Sequence, residues 1–196
     1  MTSLTTSREA AAVHVLEQVG TRAEMQALGE RLATLLRPGD LVLLTGDLGA
    51  GKTTLTQGIG AGLGVRGPVT SPTFVIARVH PSQVGGPPLV HVDAYRLGSI
   101  AEVDDLDLDA SVDEAVTVVE WGEGLVEGLS ADRLEVNIVR PHGAGGRQVG
   151  PDGDPDETGE EPDDVPRRVS VQGVGPRWDG VELAPATGAP AAGAGA

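Results

Sequence analysis

Apolar positions fall along the chain in short blocks whose period alternates between that of a strand and that of a helix. Val13 to Val19 reads as a first strand. Thr21-Arg-Ala-Glu24 has the form of a capping box, in which the Thr hydroxyl and the Glu carboxylate satisfy free amides at a helix start. Met25, Leu28, Leu32, Leu35 and Leu36 follow at helical spacing, and Pro38-Gly39 ends that helix. Leu41 to Thr45 is a short apolar strand of the kind buried on both faces. A glycine-rich turn leads into a helix from Thr53 to Leu63, closed by Gly64. Val75 to Val79 and Leu89 to Asp93 are two more strands, separated by a Pro/Gly-rich loop from Pro81 to Pro88. Ser99 and Glu102 form a second capping box that opens a short acidic helix. Val116 to Val119 reads as another buried strand. Leu134 to Val139 and Val169 to Val171 read as a final antiparallel pair.

This order predicts an α/β fold: a P-loop NTPase-like sheet flanked by helices, with an antiparallel C-terminal strand pair. Residues 1–12 read as a disordered N-terminus, 13–141 as the main domain and 167–184 as a closing strand region. The stretch 142–166 between them is Gly, Pro, Asp and Glu. Eight acidic residues run from Asp152 to Asp164 with no base between them. Such a segment buries too little apolar area to offset its ordering entropy, which predicts a disordered insert. The tail 185–196, built from Ala, Gly, Pro and Thr, reads the same way.

Composition removes several classes of function. The 196 residues carry a formal charge of −15, and setting aside the eight charges of the insert still leaves −7. Salt-driven binding to a nucleic-acid backbone needs the opposite sign. Phe74, Tyr95, Trp121 and Trp178 are the only aromatics, too few for a base-stacking platform. Cysteine is absent, which excludes disulfides, Cys-ligated zinc and thiol catalysis and fits a reducing cytoplasm. No apolar run reaches transmembrane length, and the first twenty residues hold no signal-peptide core.

One residue stands apart. The chain has thirteen arginines and a single lysine, Lys52, and it lies in a glycine-rich loop. Gly46-Asp47-Leu48-Gly49-Ala50-Gly51-Lys52-Thr53 matches the P-loop pattern. Its glycines turn successive amides inward to cradle phosphate oxygens, and the following helix adds the positive end of its dipole. Lys52 then reaches the β- and γ-phosphates, and the Thr53 hydroxyl completes a magnesium site. The Asn-Lys-x-Asp signature that reads guanine cannot occur in a chain whose one Lys is already used, which favours ATP.

P-loop enzymes also need a carboxylate at a strand end for magnesium or its waters. Two apolar strands end in one: Leu89-Val-His-Val-Asp93 and Val116-Thr-Val-Val-Glu120. His91 shares a strand face with Asp93 and reads as a strand residue, and Trp121, next to Glu120, reads as packing.

Four segments then occur in order: Gly46 to Thr54, Ser71-Pro-Thr-Phe74, His91-Val-Asp-Ala-Tyr-Arg-Leu97 and Val119-Glu-Trp121. Together they resemble the bacterial TsaE (YjeE) family, the small ATPases of the pathway that makes threonylcarbamoyladenosine at position 37 of tRNA. The resemblance runs from about Thr21 to Val139. It implies ATP and Mg2+ as cofactors and a slow ATPase. The partners it implies are the threonylcarbamoyl transferase subunit and its inactive paralogue; the charge of −15 predicts no tight tRNA binding by the chain itself. The resemblance places nucleotide on Gly46, Asp47, Leu48, Gly49, Ala50, Gly51, Lys52, Thr53 and Thr54. It makes Thr53 and Glu120 the magnesium-linked residues, Asp93 the second strand-end acid and Thr73 a switch residue facing the γ-phosphate. Val92 and Ala94 depart from the family pattern, which has an aromatic and a Leu there. A small-molecule kinase and a non-catalytic, nucleotide-gated binding module are the alternative readings of the same loop.

Overall fold

The computed structural model describes residues 14–72, 76–97, 113–141 and 166–184. Among these, seven strands and two α-helices follow one another: β1 (His14–Val19), α1 (Arg22–Ala33), β2 (Leu41–Thr45), α2 (Lys52–Gly62), β3 (Ala77–His80), β4 (Leu89–Asp93), β5 (Val116–Glu120), β6 (Arg133–Val139) and β7 (Arg167–Val174). Short 3₁₀ turns cover Ala94–Arg96 and Pro176–Trp178. The strands form one sheet in the order β1-β7-β6-β2-β5-β4-β3. The central β6-β2-β5-β4 block is parallel, whereas β3, at one edge, and β7 pair antiparallel with their neighbours. The α/β class and the antiparallel C-terminal pair are as the sequence predicts.

Local chemistry explains most boundaries. Thr21 Oγ1 accepts from the Glu24 amide at 3.1 Å, and the Glu24 carboxylate accepts from the Gly20 and Thr21 amides, completing the capping box of α1. That helix stops at Ala33 rather than Leu36. The Leu35 and Leu36 amides donate three residues back, to Leu32 and Ala33, and the Thr34 hydroxyl takes the Arg31 carbonyl, so the last turn tightens out of α-geometry. Helix α2 starts at Lys52, one residue before the predicted Thr53, because Gly51 at φ +108° caps it in the left-handed region. Strand β3 runs from Ala77 to His80, and Val75, where the sequence predicts its start, lies outside the described residues. Ile76 sits at φ +67°, its amide donating to the Pro72 carbonyl and its carbonyl accepting from Asp93, so the extended run starts only after it. Strand β7 exceeds the predicted Val169 to Val171 in both directions because all seven residues of β6 pair with it. The predicted acidic helix at Ser99, the residue Thr73 and the segments 1–13, 142–165 and 185–196 lie outside the described residues.

Alternation in the central strands sends side chains to two cores. Val42, Leu44, Val118, Leu134 and Val136 pack beneath α1 and α2, and Leu41, Leu43, Val90, Val92 and Val119 pack on the other face with Val126. Leu55 and Ile59 of α2 are fully buried, each contributing about 1.5–3 kcal/mol by area. The two helices touch backbone to backbone. A Cβ on Gly58 would lie 2.1 Å from the Gln26 carbonyl oxygen, and one on Gly29 would lie 2.4 Å from that of Leu55. This close crossing brings the first turn of α1 alongside the start of α2. There Gln57 Oε1 accepts from Arg22 at 3.0 Å and from Gln26 at 3.2 Å.

At the far end, Arg177 holds the segment after β7. Its Nε and Nη2 donate to the two carboxylate oxygens of Asp40 at 3.1 and 2.9 Å, and Nη2 also donates to the Leu35 carbonyl. Both side chains are largely buried, so this bidentate pair fixes β7 against the loop that enters β2.

Candidate nucleotide-binding site

The loop between β2 and α2 lies at the carboxyl end of the parallel strands, where open α/β sheets place their ligands. Gly46, Gly49 and Gly51 take φ values of +148°, +75° and +108°. At Gly46 a Cβ would stand 2.5 Å from the Ile138 carbonyl oxygen, so both its conformation and its space demand glycine. The loop delivers Lys52 and Thr53 into the first turn of α2.

Lys52 is buried at the loop's centre. Its ammonium donates to the carbonyls of Gly46 at 2.6 Å and Asp47 at 3.0 Å, and stands 3.7 Å from the centre of the Trp121 ring. Burial lowers its pKa, and the nearby carboxylates of Glu120, Asp93 and Asp47 oppose that shift.

The acids arrive from the two neighbouring strands. In the β4–β5 register Asp93 lies opposite Glu120, so both project from the same end and the same face of the sheet. Thr53 Oγ1 donates to Glu120 Oε1 at 3.0 Å. His91, two residues before Asp93 on that face, is fully buried with Nε2 2.8 Å from the same Glu120 oxygen. Asp93 accepts from the Ser71 hydroxyl at 3.1 Å and from the Tyr95 amide at 3.2 Å. Beyond Glu120 the chain turns sharply at Trp121, whose φ of +63° places a bulky residue in the left-handed region. Its ring meets Tyr95 edge-on at 5.5 Å and covers Lys52. A non-glycine residue held so is backbone strain of the kind found at working sites.

These groups line a cleft of about 750 Å³ whose two sides differ in chemistry. Ser71, Asp93 and Glu120 supply oxygens on the β4 and β5 side of β2, and Met25 and Arg167, beside Gly51, line the cleft with Arg22 from the side of α1 and β7. The loop amides, the α2 N-terminus and Lys52 suit a polyphosphate. Among the described residues no three His, Asp or Glu side chains gather into a metal cage. The Thr53 hydroxyl and the Glu120 carboxylate are hard oxygen donors. They fit Mg2+, which in nucleotide sites takes one or two protein oxygens with water and phosphate.

The structure brings together Lys52, Thr53, Glu120 and Asp93, with Leu48 to Thr54 along the cleft. Gly46 and Asp47 join through their carbonyls to Lys52. Ser71, His91 and Trp121, which the sequence analysis names without a site role, also line or adjoin the cleft, as do Met25, Arg22 and Arg167, which it does not place there. The strand period already put His91 on the Asp93 face, and that signal was sufficient to pair it with a neighbouring acid. Nothing local marks Arg167, which reaches the loop only through the pairing of β7 with β1 and β6.

Residues 19–149 match the family described as threonylcarbamoyl adenosine biosynthesis protein TsaE. The chain belongs to the TsaE family. The Streptomyces coelicolor tRNA threonylcarbamoyladenosine biosynthesis protein TsaE is 59% identical over 155 residues, covering 79% of this chain and 93% of that protein. The Bacillus subtilis protein of the same name is 42% identical over 118 residues, 60% of this chain and 72% of its own length. Among solved structures, Bacillus subtilis YdiB superposes with a TM-score of 0.60 at 30% identity, over 85% of this chain and 90% of that one. The TsaE match includes the P-loop, both strand-end acids and Trp121, and ends within the acidic insert.

Proposed function

We propose that this TsaE-family chain binds ATP and hydrolyses it slowly with Mg2+. In this reading the hydrolysis supports the complex that forms threonylcarbamoyladenosine in tRNA. The observation that carries the proposal is the meeting of Lys52, Thr53 and Glu120 at one loop, in a chain whose relatives are named for that biosynthesis.

Each residue has a distinct task. The amides from Leu48 to Thr54 bind the phosphate oxygens, and the Lys52 ammonium exchanges its carbonyl partners for the β- and γ-phosphates. Trp121 excludes water from the ammonium, which strengthens its attraction to phosphate. Thr53 and Glu120 would hold the magnesium, which would supply positive charge against that developing on the departing ADP. His91 orients the Glu120 carboxylate from below. Asp93, fixed by Ser71 and the Tyr95 amide, orients the attacking water; the family resemblance assigns Thr73, which lies outside the described residues, to face the γ-phosphate.

Partners take the remaining role. The threonylcarbamoyl transferase subunit and its inactive paralogue contact the chain in the cytoplasm, and tRNA does not contact it tightly, since its charge is −15. Among the described residues no helix is long and apolar enough to cross a membrane. If nucleotide state sets affinity for the partners, the partners change nucleotide affinity by the same factor. Titration of ATP into the purified chain, with and without the partner complex, tests this alongside single-turnover hydrolysis. Tight ATP binding, slow turnover alone and a partner-dependent affinity are expected. ATP affinity indifferent to the partners, or a phosphorylated small-molecule product, would contradict it.

A further inference from the structure

Arg167 opens β7, and the sheet order puts it on the opposite side of β2 from the two acids. Because β7 runs antiparallel to β6, its first residue lies at the same end of the sheet as the phosphate loop. Val19, the last residue of β1, pairs with it, so the first turn of α1 stands beside it. The residue is 9% exposed and lines the cleft. Its Nε is buried without a hydrogen-bond partner, and among the described residues the guanidinium forms no ion pair. Nε lies 3.8 Å from the point a Cβ on Gly51 would occupy, and the Met25 methyl lies 3.3 Å from that point. The guanidinium is thus pressed against the N-cap of α2, at the edge of the phosphate loop.

Such a placement has a chemical meaning. A guanidinium keeps its charge in proteins, so burial without an anion is costly and is sustained where an anion is to be bound. The anion's identity follows from the polarity of the cleft. Lys52, Thr53 and Glu120 take the terminal phosphates and magnesium, so the row of phosphates runs away from the acids, and its sugar-bearing end points toward Arg167, Met25 and Arg22. We propose that Arg167 is the ligand of the α-phosphate, the phosphate next to the sugar. This assignment rests on the nucleotide reading given above. It makes β7, contributed from beyond the acidic insert, a wall of the nucleotide site.

Calorimetric titration of ATP and of inorganic pyrophosphate, both with Mg2+, tests it on the wild-type chain, Arg167→Gln and Arg167→Lys. Arg167→Gln is expected to lose on the order of tenfold to a hundredfold in ATP affinity, the range of one charge-assisted hydrogen-bonded contact. Pyrophosphate, which has no α-phosphate, binds all three alike. Arg167→Lys falls between, since it keeps the charge but loses the planar fork. The melting temperature of Arg167→Gln without nucleotide is at least that of wild type, because an unpaired buried charge has been removed. Unchanged ATP affinity in Arg167→Gln would overturn the assignment alone. So would equal losses for ATP and pyrophosphate. A wild-type chain that binds no ATP would overturn the nucleotide reading as well.

Discussion

Thr53 and Glu120, 67 residues apart in the chain, meet through a 3.0 Å hydrogen bond from hydroxyl to carboxylate. The contact ties the first turn of α2 to the tip of β5. On the nucleotide reading it fixes in advance the two oxygens that magnesium needs, so little reorganisation is required when the cation arrives with ATP.

Glu120→Gln keeps the shape of that contact and removes its charge. The fold is expected to persist, while Mg2+-dependent single-turnover hydrolysis falls by at least roughly tenfold. His91→Asn, which withdraws the ring from Glu120, is expected to lower Mg2+ affinity by about tenfold through orientation alone. Wild-type rates in Glu120→Gln together with loss in Asp93→Asn would reassign the metal-linked acid.

Lys52→Arg is expected to fail despite conserving charge. The ammonium fits between two carbonyls and the Trp121 face, and a planar guanidinium does not fit that space. ATP titration should show a loss close to that of Lys52→Ala. Retention of wild-type affinity would show that the pocket reads charge only.

Gly58→Ala probes the helix crossing that positions the cleft. The new methyl would meet the Gln26 carbonyl at 2.1 Å, and backbone cannot swing aside as a side chain does. A destabilisation of about 1–3 kcal/mol is expected in chemical denaturation. An unaffected midpoint would mean that α1 and α2 slide freely.

His80 gives the fold an acid sensitivity of its own. It is buried with Nε2 unpartnered. Burial, then the neighbouring His91 and Arg78, lower its pKa below 6.5. The unfolded chain therefore binds this proton more readily, so the contribution is complete above pH 6.5 and is lost as pH falls through the lowered folded value. Denaturation midpoints of wild type and His80→Gln should diverge less at acid pH than at pH 8, wild type losing more on acidification. Parallel curves would remove His80 from the account.

The sheet, the phosphate loop and both acids were legible because each is encoded within a few residues: strand period, glycine spacing, a carboxylate at a strand end. The exact start of β3 was not, since Ile76 adopts a left-handed backbone that no propensity assigns to a β-branched residue. What Trp121 packs against was not legible either, since a strained turn lays its ring over Lys52. Arg167 was invisible because only the closure of β7 against β1 and β6 brings it to the loop.

The most direct test of the whole account is the threonylcarbamoyladenosine content of tRNA in cells whose only copy of this protein carries Lys52→Ala. Nucleoside mass spectrometry should show the modification lost at normal levels of folded protein, and restored by the wild-type chain. Full modification with Lys52→Ala as the sole copy would contradict the claim that nucleotide in this cleft supports the reaction.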